Sequence, residues 1–309
     1  MKNSLLYIQD HFLAILRILG FGSISVNYLN RKYNVSDKEY IRVRNVDIHY
    51  KDEGEGPVLV LLHGICSSLY TWDGWVDVLK RHFRIIRIDI PGFGLTGPCD
   101  IDPRDLDEVM CFTHDIIKAF NLDSFYLAGS SLGGYLSWNY ALRNPHMVKK
   151  LVLIDPVSHK QTPPWFIVLS NFFLFRFIAS YSIPKLIIWM NVRAIYGDTK
   201  KISRDLVNLY FDMAMRKGNK ASYMKNFHVM AEKSIDEGLS DGIQDIKVPV
   251  LVMYGEKDKW VPITHVERWK ENLPGVKSIV YQGVGHIPME EIPEQSAKDA
   301  LQFMFHEDV

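Results

Sequence analysis

A serine framed by glycines stands near the middle of this chain of 309 residues. The pattern Gly-x-Ser-x-Gly spans Gly129–Gly133, follows the apolar run Phe125–Ala128 and precedes a segment with helical spacing. A strand that turns directly into a helix around one serine makes a sharp bend and exposes the hydroxyl group at the strand's carboxyl end. The pattern therefore predicts Ser131 as a nucleophile. Ser130 is the alternative hydroxyl, and a glycine-rich turn without chemistry is the rival interpretation.

A base and an acid follow this serine along the chain. A serine is a weak nucleophile at neutral pH and needs a general base beside it. His286 can serve as the base, because imidazole titrates near neutral pH, and Asp258 can orient it. The order Ser131, Asp258, His286 is the one expected for a serine in such a bend. Asp155 remains an alternative acid and His63 an alternative base, since both follow apolar runs.

These residues follow short apolar segments that alternate with helical patterns. Further buried strands are predicted over Val58–Leu62, Phe83–Ile90, Val148–Ile154, Val248–Tyr254 and Lys277–Tyr281, and a hairpin over Tyr40–Asp52 that turns near Asn45. Helices are predicted over Thr71–His82, Leu106–Phe120, Ile263–Leu273 and Gln295–Phe305. Alternating strands and helices indicate a parallel sheet with helices on both faces. The candidate residues would then meet at the carboxyl ends of the strands.

The alternation is interrupted between residues 159 and 245. This segment shows no strand pattern and is rich in apolar residues, with runs such as Trp165–Leu169, Phe172–Phe175 and Leu186–Met190. We interpret it as a helical cap inserted into a core formed by residues 40–158 and 246–309. So much apolar surface must be buried against the core, a ligand or a membrane.

Residues 1–25 have apolar side chains at helical spacing, interrupted by Gln9, Asp10 and Arg17. The interruptions disfavour a membrane-spanning helix and a cleavable secretory signal. Two interpretations stay open: an amphipathic helix in a membrane interface and a helix packed on the protein itself. We therefore expect a cytoplasmic or peripherally membrane-associated protein that contacts the membrane, if at all, through residues 1–25 and the cap.

The composition excludes some classes of function. Apolar residues make up 47% of the chain, and 36 basic residues balance 36 acidic ones, so the basic excess of a nucleic-acid-binding protein is missing. Cys66, Cys99 and Cys111 show no metal-ligand spacing and are odd in number, which disfavours a metal site and a disulfide framework. The sequence leaves the oligomeric state open.

From about Tyr40 onward the sequence resembles the α/β-hydrolase family. Five motifs in order carry the resemblance: His63–Ile65, Asp89–Gly94, Gly129–Gly134, Gly255–Asp258 and Gly285–His286. The resemblance implies an α/β-hydrolase fold with a mostly parallel eight-stranded sheet, one antiparallel strand, helices on both faces and an inserted helical cap. It also implies that no cofactor is needed.

Matched residue by residue, the resemblance makes Ser131 the nucleophile, Asp258 the acid and His286 the base. The backbone N–H groups of Ile65 and Leu132 match the oxyanion hole. The cap looks like those of haloalkane dehalogenases, epoxide hydrolases and related esterases. The first two classes carry an aspartate where this chain has its serine, and the serine favours acyl chemistry.

We therefore expect a serine hydrolase that cleaves carboxylic esters of small apolar substrates, including lipid-derived ones, through an acyl-enzyme. Trp260 and His63 are expected at its substrate pocket. One alternative is a carbon–carbon bond hydrolase of ring-fission products. Those dicarboxylates would need a cationic pocket, for which Arg193, Arg216 and Lys217 are available. Another alternative is a non-catalytic binder of a small ligand. Thioester hydrolysis and acyl transfer to an alcohol also stay open, because they share the acyl-enzyme.

Overall fold

Eight strands form one sheet in the computed structural model, which describes residues 14–305. The strands are β1 (Tyr40–Val43), β2 (Val46–Glu53), β3 (Val58–Leu62), β4 (Arg84–Ile88), β5 (Phe125–Ser130), β6 (Val148–Ile154), β7 (Val250–Gly255) and β8 (Lys277–Tyr281). Their order is β1-β2-β4-β3-β5-β6-β7-β8, and β2 alone runs against the other seven. The predicted mostly parallel eight-stranded sheet with one antiparallel strand is confirmed.

The strand sequences match their places in the sheet. The central strands β3, β5 and β7, and β6 beyond Lys149 and Lys150, are mostly apolar and buried, as expected for strands covered on both faces. The edge hairpin of β1 and β2 alternates apolar and polar residues and turns at Arg44 and Asn45, close to the predicted position. Arg44 adopts a left-handed conformation in this turn, with φ of +50°.

Twelve α-helices have both ends within the described residues. They are α1 (Val26–Lys32), α2 (Asp73–Leu79), α3 (Leu106–Lys118), α4 (Leu132–Arg143), α5 (Trp165–Leu169), α6 (Phe173–Tyr181), α7 (Lys185–Ile195), α8 (Arg204–Met215), α9 (Asn219–Lys233), α10 (His265–Asn272), α11 (Pro288–Glu291) and α12 (Pro293–Phe305). On one face of the sheet α2 packs against α12, and on the other α3 packs against α4. The Trp75 indole fastens the first pair by donating to Ser296 Oγ over 2.8 Å.

The chain between β6 and β7 contains α5 to α9 and short 3₁₀ turns, with no strand among its described residues. We call residues 159–245 the insertion. Helix α9 packs against α5 and α6. No single helix within 14–305 is long and apolar enough to cross a membrane, although α6 and α7, bent by 107° between them, would pass as a pair by length and composition.

The N-terminal helix is shorter than the sequence predicts. Residues 14–18 are helical, and the chain then turns at Gly20 and Gly22, whose φ angles are +83° and +78°. A helix cannot continue through left-handed residues, so the prediction for residues 19–25 is wrong. Its part over residues 1–13 lies outside the described residues.

Candidate active site

Ser131 lies in a strained turn between β5 and α4, with φ of +53° and ψ of −114°. A Cβ atom on Gly133 would come within 2.3 Å of the Leu62 carbonyl oxygen, and one on Gly129 within 2.2 Å of the Gly133 carbonyl oxygen. Both glycines are therefore required for the helix to start against the neighbouring strand. Such strain costs roughly 1–3 kcal/mol and is typically stored at functional sites.

Asp258 and His286 follow β7 and β8 and form a hydrogen-bonded pair. His286 Nδ1 lies 2.6 Å from Asp258 Oδ2, and both side chains are buried. The other carboxylate oxygen of Asp258 accepts from the backbone N–H groups of Trp260 and Val261, at 2.7 and 3.1 Å. These contacts hold the imidazole in the orientation that a general base beside a serine needs.

The same cavity is lined by Ser131 and His286. His286 Nε2 is buried and makes no hydrogen bond within the described part of the chain, so Ser131 Oγ is not bonded to it here. Catalytic hydrogen bonds are often long without substrate and tighten when it binds. The unoccupied nitrogen is thus free to take a proton from a nucleophile in the cavity.

The loop after β3 lies directly against the nucleophile. A Cβ atom on Gly64 would sit 3.1 Å from Ser131 Cβ, and Ile65 lines the cavity. Leu132 is the first residue of α4, where a backbone N–H group has no partner inside the helix. Both residues thus flank Ser131, and their role as an oxyanion hole stays a prediction.

His63 lies beneath this loop and is not in the cavity wall, so its expected place in the pocket is corrected. Its Nε2 accepts from the backbone N–H of Ile90 over 3.0 Å, which leaves the proton on Nδ1 to be donated to the Gly64 carbonyl at 2.7 Å. Burial lowers the pKa of His63, so the ring stays neutral. With both nitrogens engaged, His63 supports the loop and cannot serve as a base.

Asp155, the alternative acid of the sequence analysis, lies beside the Asp258–His286 pair. The three side chains bring ligand atoms within 4.8 Å of one another, a grouping that could also hold a metal ion. Burial, together with the charge and hydrogen bonding of Asp258, raises the pKa of Asp155 well above its usual range. Asp155 Oδ2 has no partner as a carboxylate, and a proton there would give it one in Asp258.

The insertion covers Ser131 with an apolar cavity of about 330 Å³. Trp260 lies in its wall, with its ring centroid 5.4 Å from that of His286. Other walls come from insertion side chains such as Phe166, Phe175, Ile187 and Phe227. None of the described residues that line the cavity is Asp, Glu, Lys or Arg. A smaller cavity of about 130 Å³ adjoins Ile65 and Leu132.

The three cations considered for a dicarboxylate pocket lie elsewhere. The Arg193 guanidinium sits 4.8 Å from the ring centroid of Trp189. Arg216 donates to three backbone carbonyls, and Lys217 is exposed. None of the three lines the cavity.

Two adjacent glutamates at the end of α11 accept hydrogen bonds near the site, and sequence reasoning missed them. Glu291 accepts from the backbone N–H groups of Gly197, Asp198 and Gly285 at 2.7–2.9 Å. Glu290 accepts from the hydroxyl groups of Thr71, Tyr196 and Tyr210, and its burial raises its pKa. The only sequence signal was an acidic pair in an otherwise apolar stretch after His286.

A model of the α/β hydrolase fold matches residues 57–293. The chain belongs to the α/β-hydrolase fold family. Since the match covers more than half of the chain, the fold inferred from the five motifs is confirmed.

Several curated hydrolases are similar to this α/β-hydrolase over most of its length. The 2-hydroxy-6-oxo-6-(2'-aminophenyl)hexa-2,4-dienoic acid hydrolase of Metapseudomonas resinovorans is 26% identical, over 89% of this chain and 96% of the relative. The pimeloyl-[acyl-carrier protein] methyl ester esterase of Nitrosomonas europaea is 25% identical, over 82% and 99%. A meta-cleavage product hydrolase from Pseudomonas fluorescens IP01 superposes with a TM-score of 0.75 at 21% identity, over 85% and 96%, which shows the shared fold.

Proposed function

We propose that this protein is a serine hydrolase that cleaves carboxylic esters with an apolar acyl or alcohol group. The observation that carries the proposal is an uncharged, largely apolar cavity lined by both Ser131 and His286. A site of this kind suits a neutral ester with hydrocarbon substituents, because a buried carboxylate would find no cationic partner there.

The proposed reaction proceeds through an acyl-enzyme. His286 Nε2 takes the proton of Ser131 as its oxygen attacks the ester carbonyl, and Asp258 stabilises the imidazolium that forms. Backbone N–H groups of Ile65 and Leu132 would hold the resulting oxyanion; losing one such donor typically costs about 3 kcal/mol. His286 then protonates the leaving alcohol. Water, activated by the same histidine, releases the acid and restores the serine hydroxyl.

A carbon–carbon hydrolase is the second candidate, and the relatives support it. The first relative named above acts on a dienoic acid and the second on a methyl ester. The same three side chains could serve both reactions, so the triad does not separate them. The uncharged cavity favours the ester, because Arg193, Arg216 and Lys217 lie outside its lining.

Hydrolysis of p-nitrophenyl esters from acetate to palmitate tests the proposal. We expect the rate to peak at medium or long chains, and Ser131→Ala to lower kcat at least ~10³-fold. Ser130→Ala is the matched control, because the Ser130 hydroxyl is the rival nucleophile. Its kcat should stay within about tenfold of wild type. Activity should persist in EDTA, which separates the triad from a metal held by Asp155, Asp258 and His286.

Two outcomes would contradict the ester proposal. A folded protein that is inert toward every ester but cleaves a 2-hydroxy-6-oxo-dienoic acid would replace the ester proposal with the carbon–carbon one. Inactivity toward both substrate classes would favour the non-catalytic binder of a small ligand.

A further inference from the structure

Helices α6 and α7 expose an unusual amount of apolar surface. Phe173 is 73% exposed and Leu174 67% exposed, and the exposed set also contains Phe172, Phe177, Tyr181, Leu186, Trp189 and Met190. Single exposed apolar side chains are common, but a contiguous group of large ones marks an interaction site. We call the exposed apolar side chains of α5, α6, α7 and residues 15–21 the apolar face.

Polar contacts attach residues 19–22 to the insertion, at the turn between α6 and α7 and at α9. Ser182 Oγ donates to the Leu19 carbonyl over 2.7 Å. The Lys220 ammonium donates to the carbonyls of Gly20, Gly22 and Tyr181 at 2.6–2.7 Å. The exposed side chains of residues 15, 18, 19 and 21 are therefore held beside the turn that joins α6 to α7.

The two stretches of chain that form the apolar face carry basic residues and no acidic ones. No Asp or Glu occurs between residues 11 and 36 or between residues 156 and 197, although the whole chain has as many acidic as basic residues. Arg17 and Arg193 are exposed in these two stretches, each over an aromatic ring, at 5.9 and 4.8 Å from the ring centroids. Basic residues beside aromatic and aliphatic ones are the pattern that binds an anionic lipid surface.

The cavity reaches the protein surface on the same face. Trp165 and Ile178 line the cavity and are also 60% and 56% exposed. A side chain can satisfy both conditions only at the cavity's rim. The mouth of the cavity thus lies among the exposed apolar side chains.

We propose that the apolar face docks on an anionic lipid bilayer, with the rim at Trp165 and Ile178 turned toward the lipid. Apolar side chains would enter the boundary between head groups and acyl chains, and Arg17 and Arg193 would bind anionic head groups. An apolar substrate could then pass from the bilayer into the cavity without crossing water. This docking does not depend on which bond the site cleaves.

Flotation of the full-length protein with vesicles tests the apolar contact. Vesicles of phosphatidylcholine with about one third phosphatidylglycerol should carry wild-type protein upward. Phe173→Glu combined with Leu174→Glu should lower the bound fraction at least ~tenfold, since two large apolar side chains are lost. Ile235→Glu is the matched control, because this residue is 59% exposed but is followed by Asp236 and Glu237. It should bind like wild type.

A second pair of variants tests the charge contact. The double variant Arg17→Glu with Arg193→Glu should lose the preference for vesicles with phosphatidylglycerol over pure phosphatidylcholine vesicles. Its affinity for the anionic vesicles should fall about fivefold for each arginine replaced. Lys118→Glu, an exposed change on α3, should keep that preference. Wild-type binding should weaken as salt rises.

Three results would overturn the docking proposal. Wild-type protein could fail to float, or the glutamate pair on α6 could leave flotation unchanged. In a third result, light scattering would show a wild-type dimer and a monomer for Phe173→Glu with Leu174→Glu, and neither would bind vesicles. The apolar face would then be a contact between two copies of this protein. Hydrolysis of a short water-soluble ester should be unchanged by this pair, so failure of docking and failure of the proposed function can be distinguished.

Discussion

At the scale of single residues, the two aspartates beside His286 differ in their hydrogen bonds. Asp258 accepts from His286 and from two backbone N–H groups, while Asp155 accepts, among residues 14–305, from the Gly255 N–H alone, at 3.1 Å. Hydrogen bonds to a carboxylate favour its charged form, and burial next to another carboxylate disfavours it. We therefore assign orientation of the histidine to Asp258 and a proton-bearing, positioning role to Asp155.

Replacing each aspartate by asparagine tests this division. Asp155→Asn keeps a donor toward Asp258, so kcat should stay within about tenfold of wild type, whereas Asp258→Asn should lower it by roughly 10⁴ by favouring the wrong tautomer of His286. The pH dependence of kcat should keep its shape in Asp155→Asn. If Asp155→Asn were as inactive as Asp258→Asn, the two assignments would have to be exchanged.

At the scale of elements, the loop that carries His286 is fastened to the insertion. Glu291 on α11 accepts from backbone N–H groups on both sides, at Gly285 in the loop and at Gly197 and Asp198 after α7. The His286 N–H donates to the Ile195 carbonyl over 2.8 Å. The position of the base therefore depends on the packing of the insertion as well as on the sheet.

Removing the hydrogen bonds of Glu291 should reduce activity and stability together. Glu291→Ala leaves the buried N–H of Gly285 and the partly buried hydrogen bonds of the Gly197 and Asp198 N–H groups without their acceptor, so the free energy of unfolding should fall by on the order of 2 kcal/mol. We expect kcat to fall by about tenfold or more as the His286 loop shifts. Glu291→Gln, which keeps one acceptor oxygen, should lie between Ala and wild type.

Glu294→Gln is the control for the loss of a carboxylate nearby. Its exposed ion pair with Lys298 should contribute little to stability. Urea unfolding and p-nitrophenyl ester kinetics supply the measurements. Equal effects of Glu291→Ala and Glu294→Gln on kcat and unfolding free energy would refute the role of Glu291 in holding the His286 loop against the insertion.

At the scale of the whole molecule, a pair of buried histidines joins the insertion to the core. His159 begins the insertion and His265 begins α10, and their ring centroids lie 5.1 Å apart. Burial lowers the pKa of each ring from 6.5 to about 4. Because the folded pKa lies below the unfolded one, the stability that these neutral rings contribute is complete above pH 6.5 and is lost as the pH falls toward 4.

Acid should therefore destabilise the protein before most carboxylates titrate. Between pH 6 and 4.5 we expect each histidine to cost on the order of 1 kcal/mol per pH unit in the free energy of unfolding. The variant with His159→Gln and His265→Gln should flatten this slope, as measured by urea unfolding at several pH values. At pH 7.5 both histidines are neutral, so the difference in unfolding free energy between the variant and wild type there gives the effect of the substitutions on packing. An unchanged slope in the variant would show that other groups cause the acid loss.

The sequence by itself determined the sheet, the order of its loops and the candidate triad. These features depend on local patterns: apolar runs of strand length, glycines that permit a bend at Ser131, and polar residues directly after strands. Parallel strands bring their carboxyl ends to one edge, so a correct strand prediction already places Ser131, Asp258 and His286 near each other.

Only the tertiary structure decided what surrounds those residues. The contact of Asp155 with Asp258, the support of the histidine loop by Glu291 and the position of His63 beneath its loop all join segments that are distant in sequence. The uncharged cavity wall and the exposed face of α6 and α7 depend on how the insertion packs. Burial and charge pairing are properties of the packed chain, and helical periodicity does not specify which apolar stripe meets the core.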